Sequence, residues 1–104
     1  MPMPEYRNSA QERGYRVLLA LSGKEFHGVA PGEIAKALGV SPSNVTRDLR
    51  VLQKVGLAEP LADDPRRWRL TPKLVQIAHA FDLQLHKQRR RYEDIAQRFT
   101  RDPT

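Results

Sequence analysis

The sequence of 104 residues has no cysteine and no long hydrophobic run. Without cysteine, disulfides, thiol catalysis and zinc–thiolate sites are excluded. No segment approaches the ~18 consecutive apolar residues of a membrane-spanning helix, and the first residues lack the charged and apolar regions of a secretory signal. We therefore expect a soluble, cytoplasmic protein with no segment in a membrane.

Groups of residues that could support catalysis or hold a cofactor are also lacking. The sequence shows no nucleophile placed with a base, no phosphate-binding glycine loop and no carboxylate spacing typical of metal sites. His79 and His86 lie seven residues apart, which is about 10 Å along a helix and too far to share one ion. The three histidines, His27, His79 and His86, therefore do not indicate a metal site. We expect no enzymatic activity, no cofactor and no small-molecule effector.

Acidic residues are fewer than basic ones, with 12 Asp and Glu against 18 Lys and Arg. The net charge of +6 and the isoelectric point near 10.2 favour a polyanionic partner, such as nucleic acid or an anionic membrane surface. The length suits one domain with a modest core and a possible appendage. Charge alone does not distinguish the two partners, so the choice depends on the pattern of the helices.

The stretch from Ser41 to Leu52 predicts a helix with one buried and one polar face. Ser41 can cap the helix and Pro42 suits its first position, while Val45, Leu49 and Leu52 recur at helical spacing. The opposite face carries short polar groups and two guanidiniums, on Ser43, Asn44, Thr46, Arg47 and Arg50. Asn44 and Arg47 are candidates for base edges, and Ser43 and Thr46 for phosphates.

Two further helices are predicted before this one. Residues 1–8 are expected to form a flexible arm, Ser9 is a possible N-cap of the first helix, and Pro31 opens the second. Phe26 and Val29 lie between these two helices in the sequence and are expected to close the bottom of the core. The short second helix, the glycine-containing turn and the polar-faced third helix form a helix-turn-helix pattern, in which the last helix lies in the major groove of DNA.

Two short apolar runs after the third helix predict a β-hairpin. They are Leu57–Leu61 and Trp68–Leu70, and they flank a turn-rich segment. Trp68 alternates with basic residues and is expected in the core rather than as a base-stacking platform. A hairpin in this place is typical of a wing. The arginines of this hairpin are expected to contact the DNA backbone or minor groove, and the alternative is that they form a solvated face of the strand. They are Arg66, Arg67 and Arg69.

This part of the chain resembles a known family. The IclR family of bacterial transcription regulators has an N-terminal winged helix-turn-helix domain that is similar to APGEIAKALGVSPSNVTRDLRVLQKVGLAEPL followed by WRLTPKLVQIA. The positions that match the family pattern are Ile34, Ala35, Leu38, Gly39, Ser41, Ser43, Val45, Arg47, Leu49, Leu52, Gly56 and Trp68–Pro72. The resemblance covers about residues 12–80, and MarR-like winged helices share most of the spacing.

Two features depart from the family pattern. Asp48 stands where the family usually has an apolar residue, which suggests a local salt bridge or altered helix packing. The chain also ends where the family's larger effector-binding domain would begin. The resemblance therefore implies a stand-alone DNA-binding domain, and it implies nothing about control by a ligand.

The last part of the sequence predicts one long helix with an apolar seam. Thr71 is a candidate N-cap, and after Pro72 no glycine or proline occurs before Pro103. Residues at alternating spacings of 4 and 3 are Leu74, Ala78, Phe81, Leu85, Gln88, Tyr92, Ile95 and Phe99. Because such a seam needs a partner helix, we expect homodimerisation through Phe81, Leu85, Gln88, Tyr92, Ile95 and Phe99. The alternative is a break near residues 89–91 that folds the tail back.

These patterns predict a mainly helical winged helix-turn-helix protein with a small β-hairpin. We expect an arm over residues 1–8, a DNA-binding domain over 9–80, a dimerisation extension over 81–100 and a tail over 101–104. The predicted function is transcription regulation, in bacteria or a phage, with the Ser41–Val55 helix and the Leu57–Leu70 wing on double-stranded DNA. A winged helix that binds protein and a non-specific architectural DNA binder are the competing hypotheses.

Overall fold

A computed structural model describes residues 7–103, so the first six residues of the predicted arm and Thr104 of the predicted tail lie outside the described residues. The elements within this range are α1 (Ser9–Ala20), α2 (Pro31–Leu38), α3 (Pro42–Lys54), β1 (Ala58–Pro60), β2 (Trp68–Leu70) and α4 (Pro72–Thr100). The two strands form an antiparallel hairpin. This order of helices and hairpin confirms the predicted winged helix-turn-helix fold.

Capping side chains fix the starts of α1 and α3. Ser41 Oγ accepts a hydrogen bond from the Asn44 N–H at 3.3 Å, as the sequence predicted. At α1, the capping residue is Asn8 rather than Ser9, since Asn8 Oδ1 accepts from the Gln11 N–H at 3.0 Å. Asn8 has the extended backbone that an N-cap requires, whereas Ser9 already belongs to the helix.

The core of the winged domain lies between α1, α2, α3 and the hairpin. Its buried residues are Val17, Leu21, Val29, Ile34, Ala35, Val45, Leu49, Leu52, Ala58 and Trp68. Trp68 is only 8% exposed, which confirms that it packs in the core. The large side chains that are almost wholly inaccessible come from all three helices, so each helix contributes one apolar face.

A third segment extends the hairpin, which the sequence did not predict. Val29 and Trp68 form an antiparallel bridge, in which each N–H donates to the other's carbonyl oxygen at 2.9 Å. Val29 is therefore buried as expected, but the prediction for Phe26 was wrong, because Phe26 is 90% exposed. The Gly28 N–H donates to the Lys24 carbonyl at 2.7 Å and closes a turn that leaves Phe26 in solvent.

Within the described residues the chain forms two compact units, the first ending at Lys73 and the second beginning at Leu74. The predicted division at residue 80 lies inside the second unit and within α4. The helix continues through residues 89–91, as its periodicity predicted, and the alternative of a break there is contradicted. At 29 residues α4 is long enough to span a bilayer, but neither it nor another described helix is apolar enough to do so.

The turn at Gly28 generates a prediction about stability. Gly28 has φ +65°, and a Cβ there would lie 2.9 Å from Leu61 Cδ1 and 3.0 Å from the Trp68 carbonyl oxygen. Gly23 has φ +77° with nothing within 4 Å of the same position. We expect Gly28→Ala to lower the free energy of unfolding by about 2–3 kcal/mol and Gly23→Ala by about 1 kcal/mol. Urea denaturation measures both, and equal losses would show that crowding at Gly28 is unimportant.

Candidate nucleic-acid interface

The polar face predicted for α3 is on the outside of the domain. The buried side chains of α3 are Val45, Asp48, Leu49 and Leu52. Of the predicted contact residues, Ser41, Ser43, Arg47 and Arg50 are exposed, and Asn44 and Thr46 are half-buried. Among residues 7–103, no hydrogen bond or ion pair engages the guanidinium of Arg47 or of Arg50. Both cations are therefore available to an external anion.

The turn between α2 and α3 determines how the exposed end of α3 begins. Gly39 ends α2 in the left-handed conformation, with φ 69° and ψ 34°, which favours glycine at the end of a helix. Two residues later Ser41 caps α3, and its hydroxyl also lies 3.3 Å from the Ser43 hydroxyl. The start of α3 thus combines exposed hydroxyls with the positive end of a helix dipole, an arrangement that favours phosphate.

Asp48 is the one charged residue in the buried stripe of α3, and the residue is only 7% exposed. Arg13 of α1 donates two hydrogen bonds to its carboxylate, from Nε to Oδ2 at 2.7 Å and from Nη2 to Oδ1 at 3.0 Å. The hydrogen bond to Asp48 raises the pKa of Arg13, and the opposing effect of desolvation is smaller. The predicted salt bridge is confirmed, although its partner lies 35 residues away rather than nearby.

An open groove of about 600 Å³ runs between α1 and α3 beside this ion pair. From α1 it is lined by Gly14 and the side chain of Tyr15, and from α3 by Val51 and Val55. Tyr15, Val51 and Val55 are each at least half exposed. The two helices are therefore not in close apolar contact on this side, and the Arg13–Asp48 pair spans the gap between them.

In the wing, Arg67 is bound to the protein itself. Its Nε donates to the His27 carbonyl at 2.8 Å, its Nη2 to the Gly28 carbonyl at 3.0 Å, and its Nη1 to Glu33 Oε1 at 3.3 Å. Each guanidinium nitrogen thus has an acceptor in the loop before α2 or in α2. These contacts of Arg67 hold the hairpin against the loop.

Arg69 is also used within the domain. It lies opposite Glu59 in the hairpin, and its Nε donates to Glu59 Oε1 at 3.0 Å. A longer contact of 3.5 Å joins its Nη1 to the Glu25 carbonyl oxygen. Alternation along the strand correctly separated Arg69 from Trp68. It did not reveal that protein acceptors cover this face of the strand.

Arg66 remains available at the tip of the wing, where 89% of its side chain is exposed. It donates to Asp64 Oδ1 from Nε and from its backbone N–H, both at 3.3 Å. Burial by itself would raise the pKa of Asp64, but these hydrogen bonds and the charges of Arg66 and Arg67 lower it overall. A charged Asp64 thus orients Arg66 without covering it.

Comparison with known proteins identifies the same part of the chain. A helix-turn-helix domain family matches residues 15–60. The structure is similar to an IclR transcriptional regulator from Alicyclobacillus acidocaldarius, with 32% identity and a TM-score of 0.62, covering 75% of this chain and 31% of that one. This chain therefore spans about a third of that regulator. No curated protein sequence matches it.

The similar structures include complexes with DNA. One is the ORF112 Zα domain of cyprinid herpesvirus 3, described with Z-DNA, with 26% identity and a TM-score of 0.52, covering 67% of this chain and all of that one. Another is the S. aureus MepR–DNA complex, with 26% identity and a TM-score of 0.51, covering 81% of this chain and 63% of that one. These matches establish a winged helix-turn-helix domain.

Arg66 and Arg67 are neighbours with different environments, which leads to a prediction about the wing. Arg67→Ala removes three internal donors, so we expect it to lower the free energy of unfolding by about 1–3 kcal/mol. Arg66→Ala, the matched control, should change it by less than about 0.5 kcal/mol. Thermal and urea denaturation of the two variants provide the measurement. A stable Arg67→Ala variant would show that the loop contacts of Arg67 contribute little.

Proposed function

We propose that this chain is a transcription regulator of the IclR type that binds double-stranded DNA with α3 in the major groove. The observation that carries this proposal is the distribution of charge on the domain. Arg67 and Arg69 are partnered internally, whereas Arg47 and Arg50 on α3 have exposed guanidiniums with no partner among the described residues. The sequence resemblance and the similarity to an IclR regulator support the same function.

On the proposed interface, the residues of α3 have different tasks. Asn44 and Arg47 would read base edges, since an amide can pair with adenine and a guanidinium with guanine through two hydrogen bonds each. Ser43, Thr46 and Arg50 would contact phosphates. Ser41 Oγ accepts the capping hydrogen bond, and its O–H can still donate to a phosphate oxygen.

In the wing, Arg66 is the proposed contact to the DNA backbone or minor groove. Its guanidinium is exposed and anchored at the hairpin tip by Asp64. Arg67 and Arg69 would act indirectly, by holding the hairpin in place. The wing would therefore add affinity that does not depend on base sequence, because phosphates carry no sequence information.

We further propose that the protein is a homodimer through α4. The seam residues Phe81, Tyr92 and Phe99 are 71%, 73% and 84% exposed, and no residue of α4 is buried. Such a continuous apolar seam favours a second helix, and Gln88 within it would fix the register of pairing. A two-fold dimer would bind a palindromic site whose half-sites are about one helical turn apart, or a multiple of that.

The similarity to a Zα domain described with Z-DNA supports a second candidate, recognition of left-handed DNA. A winged helix that binds protein and a non-specific architectural DNA binder complete the set of candidate functions. The candidates differ in what they require of DNA: a regulator prefers certain sequences, an architectural binder accepts all, and a protein-binding module binds none.

A random-library selection followed by titration of the selected duplex tests the function. We expect the logarithm of affinity to fall with the logarithm of salt concentration with a slope of about −4 to −5, for ~4–6 phosphates neutralised. Asn44→Ala or Arg47→Ala should cost ~1–3 kcal/mol on the selected site and remove preference at particular base pairs. Arg66→Ala, as control, should weaken all sequences alike and reduce the slope by about 1.

The outcomes separate the candidates. Absence of binding at low salt would favour the protein-binding module. Binding without selected sequences, or equal loss on all sequences for every variant, would favour the architectural binder. A duplex of alternating d(CG) held in the left-handed form and bound more tightly than any right-handed one would favour Z-DNA recognition.

Sedimentation of the full chain tests the dimer. We expect a dimer at tens of micromolar, and we expect Ile95→Glu to dissociate it because the substitution places a charge in the seam. Gln97→Glu adds the same charge on the opposite side of α4 and should leave the dimer intact. A monomeric wild-type protein at this concentration, or equal effects of the two variants, would contradict pairing through the seam.

A further inference from the structure

The buried stripe of α3 is short for a helix that must hold a fixed orientation. Its apolar members are Val45, Leu49 and Leu52, and the remaining buried position is taken by Asp48. Apolar contacts are not directional, so three of them permit small rotations of α3 about its own axis. A further constraint is needed if the outer face is to point in one direction.

Packing does not supply this constraint on the side of α3 that faces the groove. There Gly14 of α1 has nothing within 4 Å of where a Cβ would lie, and Val51 of α3 is 57% exposed. The groove of about 600 Å³ leaves room for α3 to turn. Arg47, next to Asp48 in sequence, also lines the groove and would move with such a turn.

The Arg13–Asp48 pair is the directional link across this side. Its two hydrogen bonds, at 2.7 Å and 3.0 Å, hold the carboxylate in the plane of the guanidinium. A rotation of ~15° would displace side-chain atoms ~6 Å from the helix axis by about 1.5 Å. The usual range of N–H···O distances is only about 0.5 Å, so the pair strongly resists this rotation.

We infer that Arg13 and Asp48 are positioning residues that determine base specificity, because they fix the rotation of α3 that presents Asn44 and Arg47 to the major groove. This inference rests on the proposed DNA-binding function. Neither residue need contact DNA, and 92% of the Asp48 side chain is inaccessible. Replacing a buried ion pair by well-packed apolar residues of similar size often leaves the stability of a fold unchanged. The effect of the Arg13–Asp48 pair should therefore appear in the orientation of α3.

The test replaces the ion pair in the full chain by apolar side chains of similar volume, Arg13→Met with Asp48→Leu. Glu12→Leu with Arg16→Met is the matched control, since it removes one exposed charge of each sign from α1. Arg13→Lys, a second variant, keeps the charge but cannot form the two parallel hydrogen bonds of the planar guanidinium. Each protein is compared for thermal stability, for affinity to the selected and to random duplexes, and for the orientation of α3 in amide residual dipolar couplings without DNA.

We expect the apolar pair to fold and to bind random duplex within about twofold of wild type. Its preference for the selected site should fall by ~10- to 100-fold, as expected when base contacts are misaligned. Arg13→Lys should lose part of the preference, and the control none. In the couplings, α3 should be reoriented relative to α1 and α2 in the apolar pair, to a smaller extent in Arg13→Lys, and not in the control.

An apolar pair with unchanged α3 orientation or unchanged preference would overturn the inference. If that pair does not fold, Arg13→Lys decides, and full preference with unchanged couplings again overturns it. Failure of the proposed function looks different, because the wild-type protein would then show no preference among duplexes. In that case the couplings still decide whether the pair positions α3.

Discussion

The domain depends on the burial of one face of α3. Val45 and Leu49 of this helix are wholly inaccessible and lie at the centre of the core formed with α1, α2 and the hairpin. Because a helix returns to the same side every three to four residues, burying this face places Ser43, Arg47 and Arg50 on the opposite one. The core and the candidate interface are therefore two consequences of one packing arrangement.

The arginines of the domain divide according to how much water they can reach. The side chains of Arg13 and Arg67 are only 20% and 34% exposed and donate to protein oxygens, and a cation that loses water is stable only when other acceptors replace it. Arg47, Arg50 and Arg66 stay largely in solvent. A basic protein can thus use part of its positive charge to hold its own loops and helices together while the rest remains available to a polyanion.

The second unit presents a different problem, since α4 combines 29 residues of continuous helix with a seam that stays exposed. Single exposed apolar residues are common, but a row at heptad spacing is not explained by chance exposure. Phe26 in the first unit is an example of the isolated kind. The regular spacing in α4 is what makes a partner helix the best account of its exposed residues.

The sequence alone determined the local features of this protein. Proline and serine at the start of α3, Gly39 before it and uninterrupted periodicity in α4 each act within a few residues, so the helices and the buried stripe could be predicted closely. Asp48 in an apolar position also signalled a salt bridge. Its partner Arg13 was missed, although Arg13 precedes the buried Val17 by one helical turn and so shares its face.

Tertiary structure decided the partners of the polar side chains. Arg13 meets Asp48 across 35 residues, and Arg67 meets the His27 carbonyl across 40. Alternation with Trp68 gave the direction of Arg67 but not its contacts, since the bridge of Val29 to Trp68 brings the loop before α2 beside Arg67. Hydrogen bonds act over about 3 Å, and only the folded chain brings groups so distant in sequence within that range.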